Sequence, residues 1–425
     1  MNDLLTFIAE SPSPFHAVEN LCRELLSNGY TRLAEGGEWS LAPGGRYFVT
    51  RNGSALLAFR LPERPFRGFM VSASHSDAPT FHVKENAELL GPEGYLRLNT
   101  ERYGGMLCAP WLDRPLTVAG RALVQTADAI ETRLVYVDRD LLLIPNVAIH
   151  MNREANSGCK YDAKCDTIPL MGLGEEKGAF RALIAQTAGC APEDILGTDL
   201  YLCLRQRGLT WGAKDEFISS PRLDDLQCAY GCFRGFLAAS ESGSVPVYAL
   251  LDNEEVGSLT KQGADGTFLR DVLERICAAL GAQRAALAAN SFLVSADNAH
   301  AVHPNHPEYH DATHRPVMNG GIVIKQGARY ATDGPAQAVF TALCRRAGVP
   351  VQHFSNRSDL AGGGTLGLIA NAHVSMNTVD IGLAQLAMHS CFETAGARDT
   401  DYLIQAMTAF YSASFREENG RFTLE

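Results

Sequence analysis

The 425-residue chain has no stretch approaching the ~20 uninterrupted apolar residues of a membrane span, so no spanning helix is expected. It has no excess of basic residues: 37 Lys and Arg stand against 48 Asp and Glu, a formal net charge of −11. A surface of that sign offers little hold on nucleic acid or an anionic membrane, so neither is expected as a partner. No basic leader precedes the first apolar residues, and Asp3 and Glu10 interrupt them, so no secretory signal is read there. The 11 cysteines form no CxxC pair, and several (Cys203, Cys228, Cys277) sit in apolar runs. That usage argues against a disulfide-stapled scaffold and fits reduced thiols in the cytosol, the expected location. No internal repeat or low-complexity segment is present. What remains is an ordinary folded composition, 46% hydrophobic and 20% charged, long enough for two domains or one domain with an insertion.

Three textures follow one another. A helix is expected over 15–28 and strands near 46–50, 54–61 and 68–74, the last running into Ser74-His75-Ser76-Asp77. From about 87 to 205 short β-like pieces (116–124, 132–138, 199–206) alternate with Gly- and Asn-rich turns, interrupted by a helix at about 174–187. Leu223, Leu226, Tyr230, Phe233 and Leu237 then recur at helical spacing. After them strands (245–251, 291–296, 321–325, 349–354, 374–381) alternate with helices (266–280, 335–346, 363–371, 397–414). The continuous apolar run at 245–251 suits a strand buried on both faces. These textures predict a mixed, largely parallel sheet sandwiched by helices, formed by residues 1–86 and 206–425, with a β-rich insertion at 87–205.

Open α/β sheets place chemistry at the carboxyl ends of their strands. Here those ends carry His75 and Asp77, then Glu254 and Glu255, then Asp297 and His300; His389 follows a short connector after a fourth strand. A further acid, Asp224 or its neighbour Asp225, opens the helix after the insertion. One acid after a strand is usually a helix cap. Four clusters of metal-ligand type are hard to reach by capping alone. Two imidazoles and three carboxylates suit two divalent ions with one carboxylate bridging, and donors of N and O without thiolate favour Zn, Mn or Co. Glu254, beside Glu255, suits a general base for a water held between such ions. Asp77 is placed to accept the His75 N–H and fix its tautomer. The five histidines between His300 and His314 read as a polar loop, apart from His300.

The segments SASHSDAPTFHVK (72–84), APWLDRPL (109–116), IPNVAIHMNREAN (144–156), DEFISSPRLDDL (215–226), DNEEVGS (252–258), SADNAHAVHPNHPEYHD (295–311), IKQGARYAT (324–332), NRSD (356–359) and VDIGLAQLAMHS (379–390) run in one order over nearly the whole chain. In that order the sequence resembles the aspartyl aminopeptidase family of co-catalytic metallopeptidases. The resemblance implies a metal set of His75, Asp224 (bridging), Glu255, Asp297 and His389, with two divalent ions per subunit, zinc in first place. It implies Glu254 as general base and acid and Asp77 as the partner of His75. It makes the β-rich insertion a dimerisation domain whose His150 reaches the neighbouring subunit's site. It lines the pocket for the substrate's first side chain with Lys325 and His300, and it implies a homo-oligomer, a dodecamer built from dimers. The implied reaction is removal of the N-terminal residue, Asp or Glu by preference, from a peptide with a free N-terminus. The alternatives are a broader or neutral preference, or a catalytically silent self-assembling scaffold. One departure stands out: Leu360-Ala361-Gly362-Gly363-Gly364-Thr365 replaces the family's turn after the NRSD-like segment, which puts the shape of the substrate pocket in doubt.

Overall fold

The computed structural model describes residues 2–174 and 176–425. A nine-stranded sheet forms its centre, in the order Thr31–Arg32, Arg46–Arg51, Ala55–Arg60, Val245–Leu251, Phe69–His75, Phe292–Ala296, Asn377–Gly382, Ile322–Gln326, Val351–Ser355. The middle four, Val245–Leu251 to Asn377–Gly382, run parallel, so their carboxyl ends lie side by side. Alternate residues go to opposite layers. Tyr248 and Leu250 pack with helices Leu223–Ala238, Gly334–Ala347 and Asp399–Tyr411. Val247, Ala249 and Leu251 pack with helices Phe268–Ala279 and Leu366–Val374 on the other face. The result is the expected sandwich. Gly231 and Gly235 let helix Leu223–Ala238 lie close against the C-terminal helix: a Cβ there would come within 2.6 Å of Leu403 and 2.5 Å of Met407.

The insertion is a six-stranded, wholly antiparallel sheet, in the order Ile130–Tyr136, Leu116–Gln125, Ile195–Leu204, Thr80–Leu90, Tyr95–Tyr103, Leu170–Leu173. Its core packs on helix Ala179–Ala188. Strand Thr80–Leu90 straddles the expected boundary at 86/87, because the chain leaves His75-Ser76-Asp77 and enters the antiparallel sheet within a few residues. The expected helix at 174–187 starts only at Ala179.

Other differences lie in short elements. A helix at Asn2–Glu10 was not expected. Strands Leu209–Trp211, Phe217–Ser220, Glu393–Gly396, Ala384–Leu386 and Ala299–His300 form a small five-stranded sheet beside the site. Each has two to four residues, too few for a period to register in sequence.

Candidate metal centre

The adjacent strands Phe69–His75 and Val245–Leu251 end in register, with Leu251 opposite His75. Strand Phe292–Ala296 ends at Asp297, and Asp224 opens the helix that crosses beneath the sheet. His389 sits in the turn between strands Ala384–Leu386 and Glu393–Gly396. These five residues, predicted as ligands, converge. Asp224 faces two ways. Its Oδ1 lies 3.4 Å from His75 Nε2, and Asp297 Oδ1 lies 3.8 Å from the same nitrogen. Its Oδ2 lies 3.6 Å from His389 Nε2, which is 3.4 Å from Glu255 Oε1. The two imidazoles therefore share one carboxylate, each facing a different oxygen of it.

Six carboxylates (Asp77, Asp224, Asp225, Glu254, Glu255, Asp297) meet two imidazoles and the Lys325 ammonium here. Burial, with the negative charge of neighbouring carboxylates behind it, pushes Asp224 and Glu255 upward. Burial also holds Glu254 up at about 7. It would raise Asp297 too, but Lys325 Nζ at 3.2 Å and His75 hold that carboxyl below its ordinary range. Burial opposes protonation of His75, yet Asp224, Asp297 and Asp77 outweigh it and hold the imidazole well above its ordinary value. Asp224 Oδ1 is buried and has no hydrogen-bond partner among the described residues. An orphaned buried carboxylate oxygen among raised carboxyls marks a place short of positive charge. The donors are imidazole and carboxylate without thiolate, so the residues fit divalent zinc, cobalt or manganese.

The supporting contacts differ in part from expectation. With its proton on Nδ1, His75 donates to the Asp77 main-chain carbonyl at 3.0 Å, leaving Nε2 turned to Asp224 and Asp297. The Asp77 carboxylate, 3.4 Å from that nitrogen, instead accepts from the Glu254 N–H at 3.1 Å and the Glu255 N–H at 3.2 Å. It thus steadies the acid turn more than the imidazole. Sequence reasoning missed Glu393, whose buried carboxylate accepts from the Asp224 N–H at 3.0 Å and the His389 N–H at 2.7 Å. It also set Asp225 aside, which lies in the same cluster and accepts from the His75 N–H at 3.1 Å. Neither has a local signal: Glu393 opens a four-residue strand, and Asp225 is one of two equivalent acids in sequence. Four non-glycine residues around the ligands take left-handed backbone: Arg222 (φ 56°), Asn253 (φ 60°), Ala387 (φ 55°) and His389 itself (φ 65°).

A cavity of about 250 Å³ opens over the cluster, lined also by His300, Lys325, Tyr330, Phe354, Gly363, Gly364 and Met388. Lys325 is buried and paired to Asp297. His300 packs edge-on to Phe354. The departing glycine run therefore forms part of the cavity wall. His150 is exposed on the loop after Ile144 and does not line this cavity.

A helix-sheathed sheet with imidazoles and carboxylates gathered at its parallel strand ends defines a metal-dependent hydrolase, and the comparisons make it an aminopeptidase. Residues 7–411 match the model of the aminopeptidase I zinc metalloproteases (M18), and the chain belongs to that family. A probable M18 family aminopeptidase 2 of Clostridium acetobutylicum is 43% identical over 96% of this chain and 98% of its own length. A protein of the same description from Pseudomonas aeruginosa is 42% identical over 97% of each. Among solved structures, Ape4 in its complex with Nbr1 superposes with a TM-score of 0.93 at 35% identity, over 97% of this chain and 85% of that one. The S. cerevisiae mApe1 dodecamer superposes at 0.86 with 29% identity, over 96% and 95%.

Proposed function

We propose that this aminopeptidase removes single residues from the free N-terminus of peptides with two divalent ions. His75, Asp297 and one oxygen of Asp224 would hold one ion; His389, Glu255 and the other oxygen of Asp224 would hold the second. Zinc is the first choice because the family is one of zinc metalloproteases, with cobalt or manganese as alternatives of the same donor preference. The observation that carries the reading is Asp224, buried, with its two oxygens turned to two different imidazoles. Bound there, the ions would polarise the scissile carbonyl and bring a water's pKa toward about 7. Glu254 takes the proton of the attacking water and returns it to the leaving amine. Its place in the cluster, beside Glu255 and within reach of His75, suits it to both transfers. Asp77 keeps Glu254 and Glu255 in place through their main-chain N–H groups.

The cavity over the cluster is where the substrate's first side chain would sit. Lys325 and His300 on its wall support a preference for Asp or Glu. A broader or neutral preference is favoured by a specific contact: the Lys325 ammonium already faces Asp297 at 3.2 Å, beside Phe354, Tyr330 and Met388. Initial rates on Asp-, Glu-, Leu- and Lys-terminal p-nitroanilides decide. Acidic residues favoured by about tenfold or more, or about 1.4 kcal/mol in the barrier, support the acidic pocket, and a flat profile removes it.

The exposed loop bearing Val147, Ile149, His150 and Met151 supports a dimer in which His150 enters a second subunit's site. Dimers of this kind assembling into a dodecamer, the form named for mApe1, make the expected oligomer. The 11 cysteines are all unpaired, which supports a reducing, cytosolic setting.

A further inference from the structure

The inserted sheet does more than stand beside the catalytic layer. Its strand Tyr95–Tyr103 ends against the acid turn, and the next four residues run past Glu255 and His389. Gly104 lies so close to Glu255 that a Cβ would come within 3.1 Å of the Glu255 Cβ. The backbone there is left-handed at φ 77°, so glycine serves both the turn and the approach. Leu107 N–H donates to the His389 carbonyl at 3.1 Å. Tyr103 is the polar contact at the centre. Its hydroxyl donates to Asp77 Oδ2 at 2.7 Å and accepts from Asn253 Nδ2 at 2.8 Å. Asp77 in turn holds the Glu254 and Glu255 N–H groups, while Asn253 Oδ1 accepts from Thr260 and Gln262, both at 2.8 Å.

We propose that Tyr103 is a positioning residue through which the inserted sheet sets the turn carrying Glu254 and Glu255. One hydroxyl joins the two segments that carry His75 and the acid pair, and it comes from the insertion rather than from the catalytic sheet. Without that hydroxyl, Asp77 loses an acceptor contact that fixes its orientation, and Asn253, held in left-handed backbone, loses a partner. Removing such a support beyond the ligands typically costs about 10–100-fold in metal affinity or activity. The insertion is then a component of the active site in every subunit, separately from any contact between subunits. The assignment of Glu254 and Glu255 rests on the reading above; the hydrogen-bonded turn does not.

Tyr103→Phe removes one oxygen and keeps the ring. Tyr201→Phe is the control, since the Tyr201 ring packs edge-on to Tyr103 at 5.4 Å and its hydroxyl makes no hydrogen bond among the described residues. The first readout is amide hydrogen exchange of the metal-free protein over 250–262, which needs no catalysis. Tyr103→Phe should speed exchange there and Tyr201→Phe should not. The second readout is kinetic on the zinc-loaded enzyme: Tyr103→Phe should lower kcat about tenfold or more with KM changed less than twofold, and shift the chelator midpoint. Unchanged exchange and unchanged kcat in Tyr103→Phe would overturn the proposal, as would equal effects in the two variants. Faster exchange in Tyr103→Phe together with full activity in Glu254→Gln would leave the brace standing and refute the assignment of Glu254 as base instead.

Discussion

The two sheets solve different problems. The central sheet is buried on both faces and carries Phe69, Val71, Val247, Val294 and Ile381 at essentially zero exposure. The inserted sheet has one packed face, and among the described residues it and its loops hold ten of the nineteen exposed large hydrophobics, including Met151 at 84%, Leu173 at 78% and Ile130 at 61%. Dry strands with neighbours on every side fix their ends to within the tolerance that ligand chemistry needs. A half-wet sheet with exposed apolar side chains is suited to meeting another surface. The dry layer holds the candidate ligands, the insertion presents exposed apolar surface, and the Tyr103 hydroxyl and the Arg121–Asn52 contact join the two sheets.

The sharpest way to break this division lies in the catalytic layer. Chelation should abolish turnover and zinc should restore it, with the oligomer unchanged by analytical ultracentrifugation. Glu254→Gln should bind metal as the parent does and lose about 10²–10⁴-fold in kcat. Full activity in that variant would remove Glu254 as the base. The next test belongs to the insertion. His150→Ala and Glu254→Gln subunits should each be nearly inactive alone, but mixed and reassembled they should recover part of the activity, because a mixed dimer contains one intact site. No recovery would confine His150 to its own chain. The smallest effect is expected at Glu393. Glu393→Gln keeps one acceptor oxygen of the two in use, so zinc affinity, read by competition with a chromophoric chelator, should fall about tenfold, and about 100-fold in Glu393→Ala. An equal fall in both would place the effect in packing rather than in the two hydrogen bonds.

Much of the central layer was legible because its signals are long. Runs such as 245–251, apolar throughout, and 291–296, largely apolar, lead into acids, which is enough to place His75, Glu254, Glu255 and Asp297 near one another. Asp224 and His389 were different. Asp224 is one of two adjacent acids, and His389 lies between apolar residues after a strand of three. Only the ordered resemblance to a family chose them, and the structure brings both to the cluster. The supporting residues were illegible for a physical reason. Tyr103 and Glu393 each act through two hydrogen bonds, of which three reach 26 to 169 residues along the chain and the fourth spans a turn of four, and no local period or spacing records such contacts. Strand Thr80–Leu90, which crosses the expected boundary at 86/87, was hard to read for a related reason, since only Phe81 and Val83 of it are buried and it alternates too weakly to stand out from a loop.

The left-handed residues around the ligands carry an evolutionary consequence. Arg222, Asn253, Ala387 and His389 each hold a conformation that glycine would adopt with less strain. At Ala387, drift toward glycine would relax the fold locally and gain stability while freeing the turn that aims His389, whereas at Arg222 and Asn253 glycine would also forfeit side-chain hydrogen bonds to Ile8, Tyr103, Thr260 and Gln262. Selection for robustness and selection for turnover therefore pull in opposite directions at Ala387. At His389 the restriction is double: a replacement must offer a donor atom and tolerate the backbone, which leaves Asn and Asp as the nearest neighbours in sequence space.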